Sequence, residues 1–325
     1  MTNASPSAGG LDRETYRRLI RPRNGVALAH LGLRTGFHLG FLTLASYLAA
    51  EGRLLAALVV LTPHWAAWSF LGWAGLGHEL AHRNVLSWRQ ANVALFRICS
   101  ILTWSNFAFF ELTHPIHHRH TLGPADIEAN AGVRISARQA LGLAGFDFVG
   151  LIRRIRILAL NAAGIVPGDE RVQALAPPGS PERRAIRNGA RWVLAIQAGM
   201  AIVFLAAGQP ILIAGVTLAP FCLSGFNRAL ALLQHAGLAA GTPETQFEDS
   251  TRTVRLGPVG GFFYANMNLH LAHHVWPSIP FYNLPEADRA LTRAGRHVHE
   301  TRGFLEGLGL LARLRRPAPR LKTSA

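Results

Sequence analysis

Eight of the fifteen histidines in this 325-residue chain fall in three short runs. The first is Gly77-His78-Glu79-Leu80-Ala81-His82. The second is His114-Pro115-Ile116-His117-His118, followed by Arg119 and His120. The third is His270-Leu271-Ala272-His273-His274. On a helix, positions i, i+3 and i+4 share a face, so each run aims at least two imidazoles at one point. Imidazole is a ligand for zinc, copper, iron and nickel. Isolated core or surface histidines do not explain three such runs in one chain. Eight imidazoles also exceed what one ion holds, so two metals are the economical expectation.

The segments between the runs say how they could meet. Leu54 to Gly77 is a stretch of 24 residues without Asp, Glu, Lys or Arg, and Trp192 to Asn227 is one of 36, interrupted near its middle by Gly208-Gln209-Pro210. A membrane-spanning helix needs about 20 apolar residues. A weaker candidate runs from Thr35 to Ala50, between Arg34 and Glu51. The sequence therefore predicts an all-α integral membrane protein. Its four transmembrane helices, at about 35–50, 54–77, 192–208 and 211–230, form two hairpins, and a cytoplasmic helical cap carries the histidine runs. A soluble helical core rarely needs apolar runs this long.

Charge sets the expected orientation. The turns Glu51-Gly52-Arg53 and Gly208-Gln209-Pro210 hold a single Arg, whereas Arg13, Arg17, Arg18, Arg21 and Arg23 precede the first span. By the positive-inside rule both termini and the histidine runs face the cytoplasm, most simply across a bacterial inner membrane. The formal charge of +15 then reads as sidedness and not as a nucleic-acid footprint. Only 16% of residues are charged, against about 25% in ordinary soluble domains. The two cysteines, Cys99 and Cys222, exclude a disulfide framework and a Cys-rich metal site.

Residues 1–24 are expected to be a cytoplasmic segment, partly disordered and without a signal-peptide pattern, 25–300 the membrane domain, and 301–325 a basic tail. Ala91 to Phe110, apolar but broken by Arg97, is read as a re-entrant or interfacial helix in preference to a fifth span. Leu141 to Leu160, with Arg153, Arg154 and Arg156 among apolar residues, suits the headgroup layer or the flank of the cap. Glu170 to Arg191, with Pro177-Pro178-Gly179, reads as a loop.

Depth follows from helix rise. A helix starting at Leu54 places His78 roughly 36 Å along, just beyond a hydrocarbon core of about 30 Å. One starting at Ile211 brings His235 to a similar height on the same side. The eight clustered histidines and His235 are thus expected to converge at the cytoplasmic membrane surface.

In the order of these runs and their topology the sequence resembles the membrane fatty acid desaturase superfamily. The resemblance covers roughly Gly77 to Leu291. It rests on the HxxxH of His78 and His82 and on two HxxHH boxes, one of His114, His117 and His118, the other of His270, His273 and His274. Thr251-Arg252-Thr253-Val254, the stretch His273-His274-Val275-Trp276-Pro277-Ser278-Ile279-Pro280 to Leu284-Pro285, and Gln234-His235-Ala236-Gly237 add to it. The resemblance implies two iron ions held by His78, His82, His114, His117, His118, His235, His270, His273 and His274. With O2 as co-substrate, they would remove hydrogen from the acyl chain of a lipid, acyl-CoA or acyl carrier. Lipid chains offer no acidic proton, so redox cofactor chemistry is required and acid–base chemistry does not suffice.

Glu79, Glu111, Asp126 and Glu128 are candidates for orienting the imidazoles from behind. His120 is a possible extra ligand. Pro115 is expected to break the helix, with His114 ending one element and the proline starting the next. His30, His38, His64, His297 and His299 stand outside the boxes and are assigned core or surface roles. The chain shows no Rossmann glycine fingerprint, no cysteine ligands for an iron–sulfur cluster and no haem domain. Electrons must therefore come from an external donor, a ferredoxin or a small haem cytochrome with its reductase.

Three rival readings make different demands. His78-Glu79-Leu80-Ala81-His82 also spells HExxH, the motif of zinc proteases. A protease of the membrane interior needs a third ligand, typically an Asp in a later span, and the 36-residue run has none. A hydroxylase or ketolase of lipid, alkane or carotenoid would use the same di-iron site. A haem-binding carrier or metal transporter would place paired histidines inside the bilayer.

Overall fold

The computed structural model describes residues 10–128, 142 and 144–314. The expected disordered start of the chain (1–9) and the last part of the expected tail (315–325) lie outside the described residues, as do residues 141 and 143 of the Leu141–Leu160 segment. The described residues are mostly helical, with almost no strand.

After a short helix α1 (Arg13–Leu19), α2 (Asn24–Ala50) and α3 (Leu54–Trp68) form the first hairpin. Gly52 makes the turn at φ +74°, while Gly52 N–H bonds to Ala49 O and Arg53 N–H to Leu48 O. Closing a helix with a left-handed glycine satisfies its last carbonyls. α3 passes through a break at residues 69–75 into α4 (Leu76–Ala81), which carries the first histidine run. A methyl on Gly75 would lie 2.0 Å from the Phe70 carbonyl oxygen, so the break needs glycine there.

α5 (Arg89–Leu102) and α6 (Phe107–His120) are an apolar pair bent by 110°, the geometry of a broken span or a re-entrant loop. The expected break at Pro115 is absent, and α6 runs unbroken through it. Pro115 lies on the exposed side of the helix. There the ring is tolerated for the loss of one main-chain hydrogen bond, while His114 and His117 on the inner face stay in register.

α7 (Phe148–Ala162) and α8 (Glu170–Leu175) lead to α9 (Pro181–Ala206). The segment expected to be a loop up to Arg191 is therefore helical in part. Ser180 caps α9 by accepting from the Arg183 N–H, with Pro181 in the first turn. The helix then continues beyond its apolar stretch, because its hydrogen bonds do not depend on hydrophobic side chains.

Leu54–Ala81 and Pro181–Ala206 are long and apolar enough to cross a membrane, and α5–α6 makes a third if the bent pair is counted as one. α2 has the length, at 27 residues, but Arg34 and His38 interrupt its apolar sequence. The expected fourth span, 211–230, is no single helix. It is a π-turn at Ile213–Thr217, a 3-10 turn at Ala219–Phe221 and an extended Cys222, and only then α10 (Gly225–Leu233). Irregular backbone in an apolar layer must find partners within the protein. Here Trp65 Nε1–H donates to Ala214 O at 2.9 Å, and His64 Nε2 meets Gly215 O at 2.6 Å. Asp147 N–H bonds to Phe221 O and Leu223 N–H to Gly145 O, both at 2.8 Å.

The histidines outside the boxes stay outside the main cluster. His38 and His64 face each other at 3.1 Å between the two arms of the first hairpin. His30 packs among Phe262, Phe281 and Tyr282. Arg34, buried in α2, donates to the carbonyls of Phe262 and Phe263.

The remaining elements are α11 (Gln246–Ser250), β1 (Thr253–Val254), α12 (Pro258–Phe263), α13 (His270–Val275), α14 (Leu284–Arg293), β2 (Glu300–Thr301) and α15 (Phe304–Leu314). β1 and β2 pair in parallel, Thr253 with Glu300 and Val254 with Thr301. Residues 301–314 of the expected tail are thus built into the fold, with α15 packed on α10 and Leu311 buried. Trp276, Phe281, Leu284 and Leu291 anchor this part in the main core, which also takes in Leu80 and Phe110 beside the first two histidine runs.

Candidate metal centre

All nine histidines singled out by the sequence come together, and they divide into two groups. His78, His82, His114, His118 and His273 form one; His117, His235, His270 and His274 form the other. Within each group the ligand-type nitrogens lie within 4.8 Å of one another. In the second and third runs the i and i+4 histidines go to one group and the i+3 histidine to the other. His114 and His118 join the first group while His117 joins the second; His270 and His274 join the second while His273 joins the first. The helical step explains this, since i+4 returns to within about 40° of i and i+3 falls short on the other side. The groups therefore abut, with the rings of His118 and His274 4.4 Å apart and those of His117 and His118 5.7 Å apart.

The outer nitrogens show which way the lone pairs face. His78 Nδ1 lies 2.8 Å from the Trp73 carbonyl, and His235 Nδ1 lies 2.8 Å from that of Ser250. A carbonyl only accepts, so both rings carry their proton on Nδ1 and turn an Nε2 lone pair inward. His117 Nδ1 is 3.0 Å from Asp126 Oδ2, and His114 Nδ1 is 2.9 Å from Glu128 Oε2. His274 Nδ1 meets the Thr121 hydroxyl at 3.3 Å, and that hydroxyl in turn donates to His117 O. His273 Nδ1 lies 2.8 Å from Glu79 Oε1.

Inside, the Nε2 atoms approach one another closely. His78 and His273 are 3.0 Å apart, His114 and His82 3.1 Å, and His235 and His270 2.9 Å. Converging lone pairs on neutral imidazoles suit a cation in each group, and the oriented outer partners match the usual support of metal-bound histidine.

Burial disfavours the charged form of five of these rings. It pushes His235 down to about 3, helped by nearby His117, and His82 down to about 4. His270, His273 and His274 are likewise held well below the ordinary imidazole value by burial and by their neighbours. Burial would raise Asp126, but hydrogen bonds from His117 and from the backbone of Glu128 and Leu122 outweigh it and hold the carboxyl at about 2. Burial lifts Glu128 to about 7.

Of the four carboxylates expected behind the histidines, Glu79, Asp126 and Glu128 are there. Glu111 instead pairs with Arg83 at 3.0 Å. His120 is exposed at the end of α6 and belongs to neither group. The sequence did not reveal the partners Trp73, Ser250 and Thr121, two of which act through main-chain carbonyls that any residue could supply.

Comparison with known proteins agrees with this geometry. No curated protein matches the chain. The family model described as fatty acid desaturase matches residues 51–302, a range that contains all nine histidines. The chain belongs to the fatty acid desaturase family.

Proposed function

We propose that the chain is a membrane-bound, O2-dependent, non-haem di-iron oxidoreductase that introduces a double bond into an acyl chain. The observation that carries this reading is the division of nine imidazoles into two abutting groups by the neighbouring pairs His117–His118 and His273–His274. Iron bound there would supply the oxygen-dependent redox chemistry that acid–base side chains cannot.

The protein's own contribution is to orient and to exclude. Trp73, Ser250, Thr121, Asp126 and Glu128 fix the rings so that their lone pairs point inward. The four side chains of the second group are all buried. An imidazole binds a metal as a neutral donor, so ions held here would receive no anionic ligand from these histidines and would stay electron-poor.

Glu79 argues against the protease reading. It is fully buried beside His273 Nδ1, a position from which it cannot activate an incoming water. The paired histidines of the carrier reading exist at His38 and His64, but they are bonded to each other and to Gly215.

Substrate and electrons both come from outside the chain. The acyl group arrives on a lipid, coenzyme A or acyl carrier, and the electrons on a ferredoxin or a small haem cytochrome served by a reductase. The centre faces the cytoplasm of a bacterial inner membrane, as the arginine distribution supports. Lipid analysis of cells expressing the chain tests the reaction. New double bonds are expected; new hydroxyl or keto groups without them would move the same centre to hydroxylation or ketolation.

A further inference from the structure

A cavity of about 520 Å³ opens onto the histidines, and its floor includes His82, His114 and His118 of the first group and His274 of the second. It therefore reaches the boundary between the two groups. Its walls include Phe110, Phe247 and Pro277, and three arginines, Arg83, Arg89 and Arg119, also line it. Glu111 neutralises Arg83. Arg89 and Arg119 are exposed, and their guanidinium groups have no side-chain partner among the described residues. An apolar chamber with a few convergent polar groups is the usual form of a small-molecule site. Two unneutralised guanidinium groups favour one end of such a ligand being a phosphate.

We propose that this cavity admits the acyl substrate and that Arg89 and Arg119 select a phosphate-bearing head group. The proposal rests on the di-iron reading above for the identity of the chain that enters. The apolar walls take the hydrocarbon next to the histidines, and the two arginines hold the phosphate at the lining. A neutral hydrocarbon or simple ester would fill the same walls and leave both cations without an anion.

Equilibrium binding to the iron-loaded, detergent-purified protein tests this without turnover. The probes are a saturated acyl coenzyme A, a phosphatidylglycerol and a methyl ester, all with the same acyl chain. At least one phosphate-bearing probe is expected to bind about tenfold or more tightly than the ester, and which of the two does so names the source. Arg89→Gln and Arg119→Gln should each weaken that probe by about tenfold, the loss expected for one charge-assisted contact, and leave the ester within about twofold. Arg293→Gln, exposed at the end of α14, should change neither.

Equal wild-type affinity for ester and phosphate-bearing probes would overturn the proposal. So would a double variant that keeps its acyl affinity, including one that loses only its rate of reduction by an acidic electron carrier, since that result makes the arginines a protein-docking face. Metal content of the same preparations separates the two claims. Failure to bind iron counts against the di-iron reading, whereas full iron with no head-group preference counts against this proposal alone.

Discussion

His78 Nε2 and His273 Nε2 lie 3.0 Å apart although 195 positions separate them in sequence. The Trp73 carbonyl fixes the proton of His78 on its far side, so the near side offers a lone pair. His273 belongs to the same convergence from α13. His117, from α6, plays the corresponding part in the second group. Replacing either His273 or His117 by Ala should reduce iron from two per chain to one or fewer and abolish product formation. Elemental analysis and lipid analysis of the two variants check this, and full activity in both would be incompatible with the account.

The carboxylates behind the histidines should differ in effect. Asp126 is buried and accepts from His117 Nδ1 and from the Leu122 and Glu128 N–H groups. Asp126→Ala removes all three and should weaken metal binding by about 10- to 100-fold, the usual range for such partners. Glu111→Gln should leave metal content unchanged, because Glu111 faces Arg83 and no histidine. Competition with a metal chelator measures both.

His120→Ala is expected to retain full metal content and activity. The ring is exposed at the end of α6 and joins neither group, despite lying two positions beyond His118.

The eight histidines of the three runs were legible because residue type and short spacing are local properties of a sequence; His235, alone in its segment, was reached from helix rise and the resemblance. Their division between two groups was not legible. It depends on the difference between i+3 and i+4 in a helix whose neighbours decide what each direction meets. Pro115 misled for a related reason, since its preference against helix is outweighed by the packing that holds His114 and His117 inside. The apolar run at 211–230 announced a span, but its breaks are stabilised by Trp65, His64 and residues 145–147, partners remote in sequence.

The break before the first histidine run should tolerate no side chain. Gly75→Ala would put a methyl 2.0 Å from the Phe70 carbonyl oxygen, and backbone there cannot move aside cheaply. A loss of about 1–3 kcal/mol is expected, as for other overpacked sites, together with reduced iron because His78 and His82 follow directly. Thermal unfolding and metal content of the variant provide the check.

The His38–His64 pair should be structural. His64→Leu leaves the Gly215 carbonyl without its partner inside the protein, which should lower stability by about 1–3 kcal/mol. Iron should remain at two per chain. Loss of iron with unchanged stability would instead tie the pair to the metal centre.

Metal content of the purified full chain tests the central claim most directly. Elemental analysis should find two irons per chain, falling in the His117→Ala and His273→Ala variants. One zinc per chain and no iron would contradict the account.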